Sequence, residues 1–560
     1  MPSSEGKNWL DHVIEAYRSG ANRQFVLYGN THDIFPVPNS SENGLGNLSD
    51  LLSKACLSAY DLILSLDIAT GIKVMKGQEI APEWLNDRAH KERFGNPRQQ
   101  VALLDEFILY CVNYSRAEGK KIHLGLLITN AQYVLPNINT TSIDVSAVAL
   151  TIKRWSEDPV FKEYPLATFI ICQNLSEIHP MIQTNSHGLR LEIPLPTKQE
   201  IQKFFKQQQS HYPIAFKEIQ ESQTSAAQLL AGTSLNSLQA MLKLKEYQKE
   251  AIKLKDLESI AHRLVEESCD NLIEFIRPKH NLSDLYGQAA LKKRIQNDLN
   301  LWQQGMTKVI PKGYLLMGPV GTGKSFFVEA LAGEAQVPVV KLKNFRGKYQ
   351  GETESNLERI FRLLRTLPRC FVFIDEADQS MGSRDSGASS SPVDARVYSM
   401  FAQEMASEQN RGRLIWLLAT SRPDLLEVDL KRPGRMDLKI PLLPCESIES
   451  AWALIQALSN KHKLSIDAHT FDSIADLIPK WMTPGSTDSL LRDLQREKQI
   501  DPSLDEQSLL IQRLQDYQPP VSPLVMEEQT RIAIQEASDI RFVPEAFRYL
   551  RTITQPITRL

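Results

Sequence analysis

The sequence contains little cysteine, and its six cysteines stand singly along 560 residues. Because no two of them form a C-x-x-C pair, neither a zinc ribbon nor a redox dithiol is expected. Sparse single cysteines are typical of a reducing compartment, so the sequence predicts a cytosolic protein. The chain also lacks any apolar run of about 18 residues, so no membrane span is predicted. Its polar first residues, Met1 to Lys7, lead us to expect no signal peptide.

An excess of either charge is also missing. The chain has 64 basic and 67 acidic residues, a formal net charge of −3, whereas a dedicated nucleic-acid binder is usually strongly basic. The lysine-rich helical stretch 238–267 is interspersed with acids, which is more typical of a solvent-exposed face than of a nucleic-acid contact. No HExxH or other protease signature occurs. At roughly 100–200 residues per domain, the length predicts about three or four globular units.

A glycine-rich segment in the second half of the chain is the strongest signal present. It fits G-x-x-x-x-G-K-[ST], and its residues are Gly318, Pro319, Val320, Gly321, Thr322, Gly323, Lys324 and Ser325. The apolar run 313–317 predicts a buried strand before the loop, and residues 326–334 predict a helix after it. Such a helix N-terminus presents free backbone N–H groups to phosphate. Lys324 is expected to reach the β- and γ-phosphates of a nucleotide, and Ser325 to hold Mg²⁺.

A pair of acids follows about 50 residues after this loop. Asp375 and Glu376 come directly after the apolar run 371–374, which predicts a second buried strand. Two acids at such a place could equally end in a solvent-exposed loop. Paired with the phosphate loop, however, they indicate a hydrolytic site in which Asp375 binds Mg²⁺ through water and Glu376 activates the attacking water.

Two further segments carry a family resemblance. They are Ala419–Asp424, after another apolar run, and Leu430–Asp437. With the phosphate loop and the two acids, they make residues 281–443 resemble the AAA branch of the AAA+ ATPases, and weaker similarity continues to about residue 497. The resemblance implies that ATP and Mg²⁺ are the cofactors, and it identifies the two segments as a sensor-1 strand end and an arginine-finger segment.

The resemblance also implies an oligomer. Arg432 and Arg435 of the second segment are expected to reach the γ-phosphate bound by a neighbouring subunit, where a planar guanidinium matches the spreading charge. A head-to-tail interface of this kind closes into a ring or runs into a filament. A hexameric ring is therefore expected, by analogy with the family. The alternative is that both arginines are partners in structural ion pairs.

Three positions match the family pattern less closely. Ser421 stands where the family usually has asparagine, and its hydroxyl can still form a hydrogen bond but reaches less far, which affects the rate of hydrolysis more than nucleotide binding. Gly287 ends a segment, from Asp284, that resembles the one packing on adenine. Residues 484–488 resemble the sensor-2 motif of the helical lid, although the second glycine of that motif is missing.

A possible substrate-gripping segment lies between the phosphate loop and the acids. Lys348 and Tyr349, followed by Gly351, resemble the first pore loop of threading AAA proteins such as katanin and spastin. An aromatic ring there can grip an extended chain with little sequence demand, and Lys348 could add a charge contact. The alternative is a surface tyrosine that packs on its own helix. The small polar residues 382–392 predict a flexible loop, either a second pore loop or a plain insertion.

The first half of the chain resembles a degenerate copy of the second. Residues 23–30 read as a strand leading into a loop without lysine, and the apolar run 124–128 ends in Thr129-Asn130 where two acids would be required. This arrangement resembles an AAA family known from chloroplast and cyanobacterial open reading frames, which would place a plastid-encoded chain in the chloroplast stroma. The alternative is an unrelated α/β adaptor domain. In either case tight ATP binding is not expected in this half.

These observations predict an α/β fold of tandem three-layer P-loop units, each with a small helical lid. We predict a degenerate N-terminal domain over residues 1–265, an active large domain over 266–445, and a lid with a C-terminal extension over 446–560. The predicted function is Mg²⁺-dependent ATP hydrolysis that drives chaperone-like remodelling, disassembly or threading of a protein partner. No association with a membrane is predicted. A slowly hydrolysing nucleotide-gated scaffold is the alternative, and a nucleic-acid motor is favoured less.

Overall fold

The computed structural model describes residues 8–38, 44–91, 95–137, 142–347, 351–381, 392–467 and 470–552. The chain forms two compact units. Unit 1 consists of Met1–Asn271 together with Phe345–Leu367, and unit 2 of Leu272–Asn344 together with Pro368–Leu560. The predicted boundaries at residues 265 and 445 stay a prediction. No helix within the described ranges is long and apolar enough to cross a membrane.

The described part of unit 1 contains a six-stranded sheet and a short two-stranded ladder. The strands are β1 (Gln24–Gly29), β2 (Phe35–Pro36), β3 (Leu45–Gly46), β4 (Leu62–Asp67), β5 (Gly71–Lys76), β6 (Leu124–Ile128), β7 (Leu166–Ile171) and β8 (Gly188–Ile193). The sheet order is β5-β4-β6-β7-β1-β8, and β2 pairs with β3. The pairs within the sheet are parallel except for β4 with β5.

Helices cover both faces of this sheet. The α-helices of unit 1, including those of its lid, are Trp9–Arg18, Leu48–Leu51, Glu83–Lys91, Pro97–Glu118, Ala131–Val134, Ile143–Glu157, Pro159–Lys162, Pro180–Gln183, Lys198–Gln208, Pro213–Phe216, Gln223–Leu229, Leu235–Gln248, Leu254–Ser268 and Glu352–Leu364. A π-helix lies at Leu52–Cys56. Successive β1 residues alternate between two cores, because Phe25 and Leu27 pack in one cluster and Val26 in the other. The result is a three-layer α/β unit.

The lid of unit 1 has a core of its own, which includes Phe205, Leu238 and Ala261. The lysine-rich helical stretch 238–267 consists of two helices, because Lys249 adopts a left-handed conformation with φ of 57° and ends the first of them. The helix Glu352–Leu364 also packs within unit 1. There the nearly buried Arg362 lies 3.1 Å from a carboxylate oxygen of Glu192 and contacts the Asn174 side chain.

Unit 2 repeats the architecture. Its strands are β9 (Ile273–Ile276), β10 (Gly313–Met317), β11 (Val339–Leu342), β12 (Cys370–Ile374), β13 (Leu414–Thr420) and β14 (Leu438–Pro441). The order is β14-β10-β13-β12-β11-β9, with β9 antiparallel and the other pairs parallel. Its α-helices are Ala289–Gln303, Lys324–Ala335, Ala377–Ser380, Pro392–Ala406, Ile448–Lys461, Phe471–Ile474, Pro484–Ile500, Glu506–Gln515 and Pro523–Glu536. Trp452, Leu491 and Leu510 form part of the lid core.

The two sheets have the same strand order. Read from one edge, β8-β1-β7-β6-β4-β5 in unit 1 corresponds to β14-β10-β13-β12-β11-β9 in unit 2. The antiparallel edge strand alone differs in its place along the chain, since β5 follows β4 whereas β9 precedes β10. The predicted fold class, tandem α/β units with helical lids, is therefore confirmed. Because the carboxyl ends of parallel strands meet at one edge of a sheet, the loops after β10, β12 and β13 converge.

Candidate functional site

The glycine-rich loop of unit 2 connects β10 to the helix Lys324–Ala335. The helix starts two residues earlier than predicted, and Gly323 before it has φ of 87°. At Gly318, with φ of 148°, an added Cβ would collide with the carbonyl oxygen of Leu442. Gly321 has φ of 85°, and a Cβ there would come within 2.8 Å of Thr483 Oγ1. The left-handed backbone and the close approaches explain why this loop requires glycine. A glycine loop of this kind before a helix can direct backbone N–H groups at a phosphate.

Lys324 lies at the first turn of that helix, and its ammonium group turns back onto the loop. Nζ donates to the carbonyl oxygens of Gly318 at 2.8 Å and Pro319 at 2.9 Å. It also donates to Ser421 Oγ, after β13, at 3.3 Å. Burial lowers the pKa of Lys324 to about 8, against the opposing effect of nearby acids. The structure thus brings together the predicted phosphate-binding lysine and the predicted sensor-1 residue.

The two predicted acids lie at the end of β12. Asp375 Oδ2 accepts from Ser325 Oγ at 3.3 Å, so the two predicted magnesium ligands are neighbours. Glu376 is exposed and adopts a left-handed backbone with φ of 46°, as the residue before the short helix Ala377–Ser380. A left-handed conformation is uncommon for glutamate and persists only where the surrounding structure holds it.

The donor set fits Mg²⁺ and a triphosphate. A hydroxyl and a carboxylate oxygen are the hard ligands that Mg²⁺ prefers, and it usually completes its shell with phosphate oxygens and water. Ser325 and Asp375 are the residues that would hold the ion. The glycine loop leaves the space that a side chain would otherwise fill. The Thr420 hydroxyl donates to Asp378 at 2.6 Å and fixes the neighbouring end of β13.

The lid of unit 2 touches the loop from the other side. Thr483 precedes the helix Pro484–Ile500, and its hydroxyl accepts from the Ser486 N–H at 3.2 Å. Gly485 N donates to the carbonyl oxygen of Gly321 at 2.9 Å. The predicted sensor-2 segment therefore lies against the phosphate loop. Gly287, by contrast, has φ of 68° and no atom within 4 Å of an added Cβ, so its part in binding adenine stays a prediction.

The two predicted arginine fingers share one carboxylate. Arg432 Nη1 lies 3.2 Å from Asp429 Oδ1, and Arg435 pairs with Asp429 Oδ2 and donates to its carbonyl oxygen at 2.7 Å. Arg432 is 68% exposed, whereas Arg435 is 20% exposed. These ion pairs are local, and the action of both arginines on a neighbouring subunit stays a prediction. Lys348 and Tyr349 lie outside the described residues, as do residues 382–391.

Unit 1 presents the same strand ends with different chemistry. Asn130, after β6, has φ of 49° and precedes a short helix, as Glu376 does after β12. Thr129 and Asn130 donate to Asp67 Oδ2 at 2.9 and 2.7 Å. A cavity of about 180 Å³ beside them is lined by Thr31, His32 and Cys172 among others, and the described residues that line it include no lysine or arginine. The Thr129-Asn130 pair therefore occupies the place of the two acids, as predicted, without a carboxylate of its own.

Sequence reasoning missed two side chains near these sites. Lys341 of β11 reaches Asp375 Oδ2 at 3.2 Å. Asp33, in the loop after β1, is 4% exposed and accepts from backbone N–H groups of the helix Leu235–Gln248. A lysine within an otherwise apolar strand was a signal that could have identified the first of them. Nothing in the local sequence indicates the partner of Asp33.

Comparison with known proteins gives two family matches. Residues 4–194 match the family described as AAA+ chaperone, N-terminal Rossmann-like domain. Residues 314–443 match the ATPase family associated with various cellular activities, AAA. The second match includes the glycine loop, the two acids, Ser421 and both arginines.

Several curated ATPases are similar to part of the chain. Peroxisomal ATPase PEX6 of Dictyostelium discoideum is 29% identical over 260 residues, which is 43% of this chain and 22% of that protein. Peroxisomal ATPase pex6 of Schizosaccharomyces pombe is 32% identical over 37% of this chain and 23% of that protein. A cell division cycle protein 48 homolog of Archaeoglobus fulgidus is 35% identical over 24% of this chain and 18% of that protein. The match thus spans about a fifth of each relative's length.

Proposed function

We propose, from the premise that this chain belongs to the AAA+ ATPases, that it couples Mg²⁺-dependent ATP hydrolysis to the remodelling, disassembly or threading of a protein partner. The observation that carries the proposal is the convergence of Lys324, Ser325, Asp375 and Ser421 at one edge of the unit 2 sheet. We further propose that the protein works as a ring, hexameric by analogy with the family. We place it in the cytosol, or in the chloroplast stroma for a plastid-encoded chain.

The side chains divide the work of phosphoryl transfer. The loop N–H groups and Lys324 bind the β- and γ-phosphates, and Ser325 and Asp375 would hold the ion. Bound Mg²⁺ would neutralise charge that develops on the phosphate oxygens. Glu376 orients a water molecule for attack and accepts its proton. Hydrolysis by this arrangement needs no covalent intermediate with the protein, because positioning and charge stabilisation supply the rate.

Arg432 and Arg435 supply charge to the same step from a neighbouring subunit in this proposal. An arginine finger is worth about 10³–10⁵ in rate, which is roughly 4–7 kcal/mol at 1.36 kcal/mol per decade. The 68% exposure of Arg432 supports this role, because an exposed guanidinium can reach a second subunit. Arg435 is less exposed and can position Asp429 as well as contact phosphate.

A nucleotide-gated scaffold is the second candidate, and Ser421 favours it. Its hydroxyl lies at 3.3 Å from Lys324 and reaches less far than the amide of asparagine would. A site with this residue can bind ATP and hydrolyse it slowly. The two functions differ in turnover and agree in nucleotide binding, so turnover distinguishes them.

The test compares steady-state ATPase rates of the wild-type protein and Glu376→Gln. If the protein is a hydrolytic machine, Glu376→Gln lowers kcat by about 10²–10⁴-fold, the usual contribution of general base catalysis, and leaves the affinity for ATP within a few fold. Asp472→Asn changes an exposed acid in the lid of unit 2 and should leave both quantities unchanged. A wild-type rate no higher than that of Glu376→Gln would support the scaffold.

The partner class has its own experiment. Glu376→Gln in ATP should hold a protein substrate engaged, so a pull-down with this variant should retain a protein that wild type in ADP does not. Addition of DNA or RNA should not stimulate turnover. Stimulation that weakens steeply with salt would favour a nucleic-acid motor instead.

A further inference from the structure

The strand β11 carries a charge inside an apolar stretch. Val339, Val340 and Leu342 are buried, and Lys341 between them is one-third exposed. β11 runs parallel to β12 with Lys341 opposite Phe373. The Lys341 side chain passes over the Phe373 ring, with Nζ 5.5 Å from its centroid, and ends 3.2 Å from Asp375 Oδ2. The strand register thus delivers an ammonium group to the acid at the end of the neighbouring strand.

The contact is made to one particular oxygen. Asp375 Oδ2 accepts from Lys341 Nζ and also from Ser325 Oγ, at 3.2 and 3.3 Å. Ser325 and Asp375 are the two residues that fit Mg²⁺, so the ammonium group lies beside the place assigned to the ion. Lys324 makes no such contact with Asp375, because its hydrogen bonds go to Gly318, Pro319 and Ser421.

The first unit provides an internal comparison. In unit 1 the strand β4 corresponds to β11 and β6 to β12, and the residue opposite Leu127 in β4 is Ser65. The acid is replaced there by Thr129. The lysine is therefore present in the unit that has the carboxylate and missing from the unit that lacks it. Lysine and acid therefore occur together, as expected if the lysine acts on that carboxylate.

We propose that Lys341 sets the magnesium requirement of the nucleotide site, because its ammonium group and Mg²⁺ compete for the Asp375 carboxylate. This inference rests on the proposed function. A hydrogen bond from a cation withdraws charge from the carboxylate oxygen, and a second positive charge a few ångströms away repels the ion. Both effects raise the concentration of Mg²⁺ that half-saturates the nucleotide complex. Lys341 thereby acts through Asp375 as a positioning residue.

The test measures ADP binding to the full chain by calorimetry, first with EDTA and then over a series of Mg²⁺ concentrations. ADP is used because it carries no γ-phosphate that Lys341 could contact. For Lys341→Met we expect the half-saturating Mg²⁺ concentration to fall by about 3- to 10-fold, the size of a close charge interaction in a partly exposed site. ADP affinity in EDTA should change by less than about twofold, since the metal is absent in that measurement.

Two further variants sharpen the result. Lys343→Met removes a lysine that follows the same strand but pairs with Glu274, at 3.2 Å, and it should behave as wild type. Lys341→Arg keeps the positive charge, so its half-saturating Mg²⁺ concentration should stay above that of Lys341→Met. If Lys341→Met leaves the half-saturating concentration unchanged or raises it, the inference is wrong. If Lys341→Met lowers the melting temperature, Lys341→Gln, which keeps a polar end group, replaces it. The same fall in the half-saturating Mg²⁺ concentration is then expected for Lys341→Gln, and its absence would show that the inference is wrong.

The same titration separates this inference from the function on which it rests. Wild-type protein that binds no ADP at any Mg²⁺ concentration would overturn the proposed function. Wild-type protein that binds ADP, with the same magnesium dependence in Lys341→Met, would overturn only the role of Lys341.

Discussion

The pKa of Lys324 lies well below the ordinary value for a lysine. Its Nζ is surrounded by two carbonyl oxygens and a hydroxyl, and burial lowers its pKa to about 8 although Asp375, Asp378 and Glu376 favour the cation. A phosphate group adds negative charge next to the ammonium and raises the same pKa in the complex. The affinity for nucleotide is therefore linked to the protonation of this one side chain.

We expect the affinity for ADP to fall above pH about 8, the pKa of Lys324 in the free site. Below that pH the lysine is already protonated, so binding takes up no proton and affinity is level. Above it, binding must protonate the lysine, and affinity falls by up to about tenfold per pH unit until the pKa of the complex is reached. Calorimetry between pH 7 and 10, in buffers of different ionisation enthalpy, measures both the affinity and the proton uptake.

The matched variant is Lys324→Arg, whose guanidinium stays charged throughout this range. Its affinity can be lower than that of wild type, but it should not depend on pH in this window. A wild-type affinity that is constant up to pH 10 would show that Lys324 keeps its proton in the free site.

At the scale of elements, the two units differ in how a loop contacts the lid. The loop in question follows β1 in unit 1 and β10 in unit 2. In unit 2 the contact is a backbone hydrogen bond from Gly485 to Gly321. In unit 1 the Asp33 carboxylate accepts from the N–H groups of Leu235 and Asn236 at 3.0 and 2.7 Å, at the start of the helix Leu235–Gln248. A carboxylate there is favourable because a helix N-terminus has unpaired N–H groups and a positive dipole end. In unit 1 the contact between this loop and the lid is therefore made by a side chain.

We expect Asp33→Ala to destabilise the start of the helix Leu235–Gln248 by about 2 kcal/mol, which is the upper range for loss of a capping side chain. The cost is high because Asp33 is 4% exposed and the N–H groups at the start of the helix lose their acceptor. Asp33→Asn keeps only one of the two oxygens that accept from Leu235 and Asn236, so it should cost about half as much. Hydrogen exchange of the Leu235 and Asn236 amides measures the effect locally. His32→Ala, an exposed neighbour in the same loop, should leave the exchange unchanged. If these two amides exchange at the same rate in Asp33→Ala as in the wild-type protein, this account is wrong.

At the scale of the whole molecule, the proposed reaction needs more than one chain. The arginines that would complete the site are bound to Asp429 within their own chain. Glu376 and Lys324 would serve the nucleotide of one subunit, and Arg432 the nucleotide of the next. A variant that lacks one of these groups can therefore be complemented by a variant that lacks another, provided that the two share an assembly.

We expect Arg432→Ala and Glu376→Gln each to be nearly inactive, and an equimolar mixture to recover a measurable part of wild-type ATPase activity. The recovery arises at interfaces where an intact Glu376 site meets an intact Arg432. Arg432→Ala is preferred to a change at Arg435, since Arg435 is more buried and its loss can disturb folding. If the mixture has no more activity than the sum of its parts, Arg432 does not act between subunits. Mixing two preparations of Glu376→Gln is the control.

Much of the nucleotide site could be predicted because its residues lie at fixed short distances from strands with a clear apolar pattern. Gly318 and Lys324 follow β10 directly, and Asp375 and Glu376 follow β12. The correspondence of Thr129-Asn130 with the two acids was predictable for the same reason, and the shared left-handed backbone of Asn130 and Glu376 agrees with it. The tandem fold itself was predictable from the repetition of these strand ends.

The remaining contacts could not be predicted because they join distant parts of the chain. Lys341 and Asp375 are 34 residues apart, and they meet because β11 and β12 lie side by side in one register. Asp33 and Leu235 are 202 residues apart and meet where a lid folds onto a loop. Local pattern carries no information on such pairs, since many registers and docking positions satisfy the same apolar periodicity.

The sequence by itself determined which residue types follow which strands, and that one half of the chain carries a glycine-lysine loop and two acids at these strand ends whereas the other does not. Those properties depend on covalent neighbours and on backbone rules that act over a few residues. Only the tertiary structure decided which charges meet, because an ion pair such as Lys341 with Asp375 depends on strand register and on the three-dimensional packing of segments that are far apart in the chain.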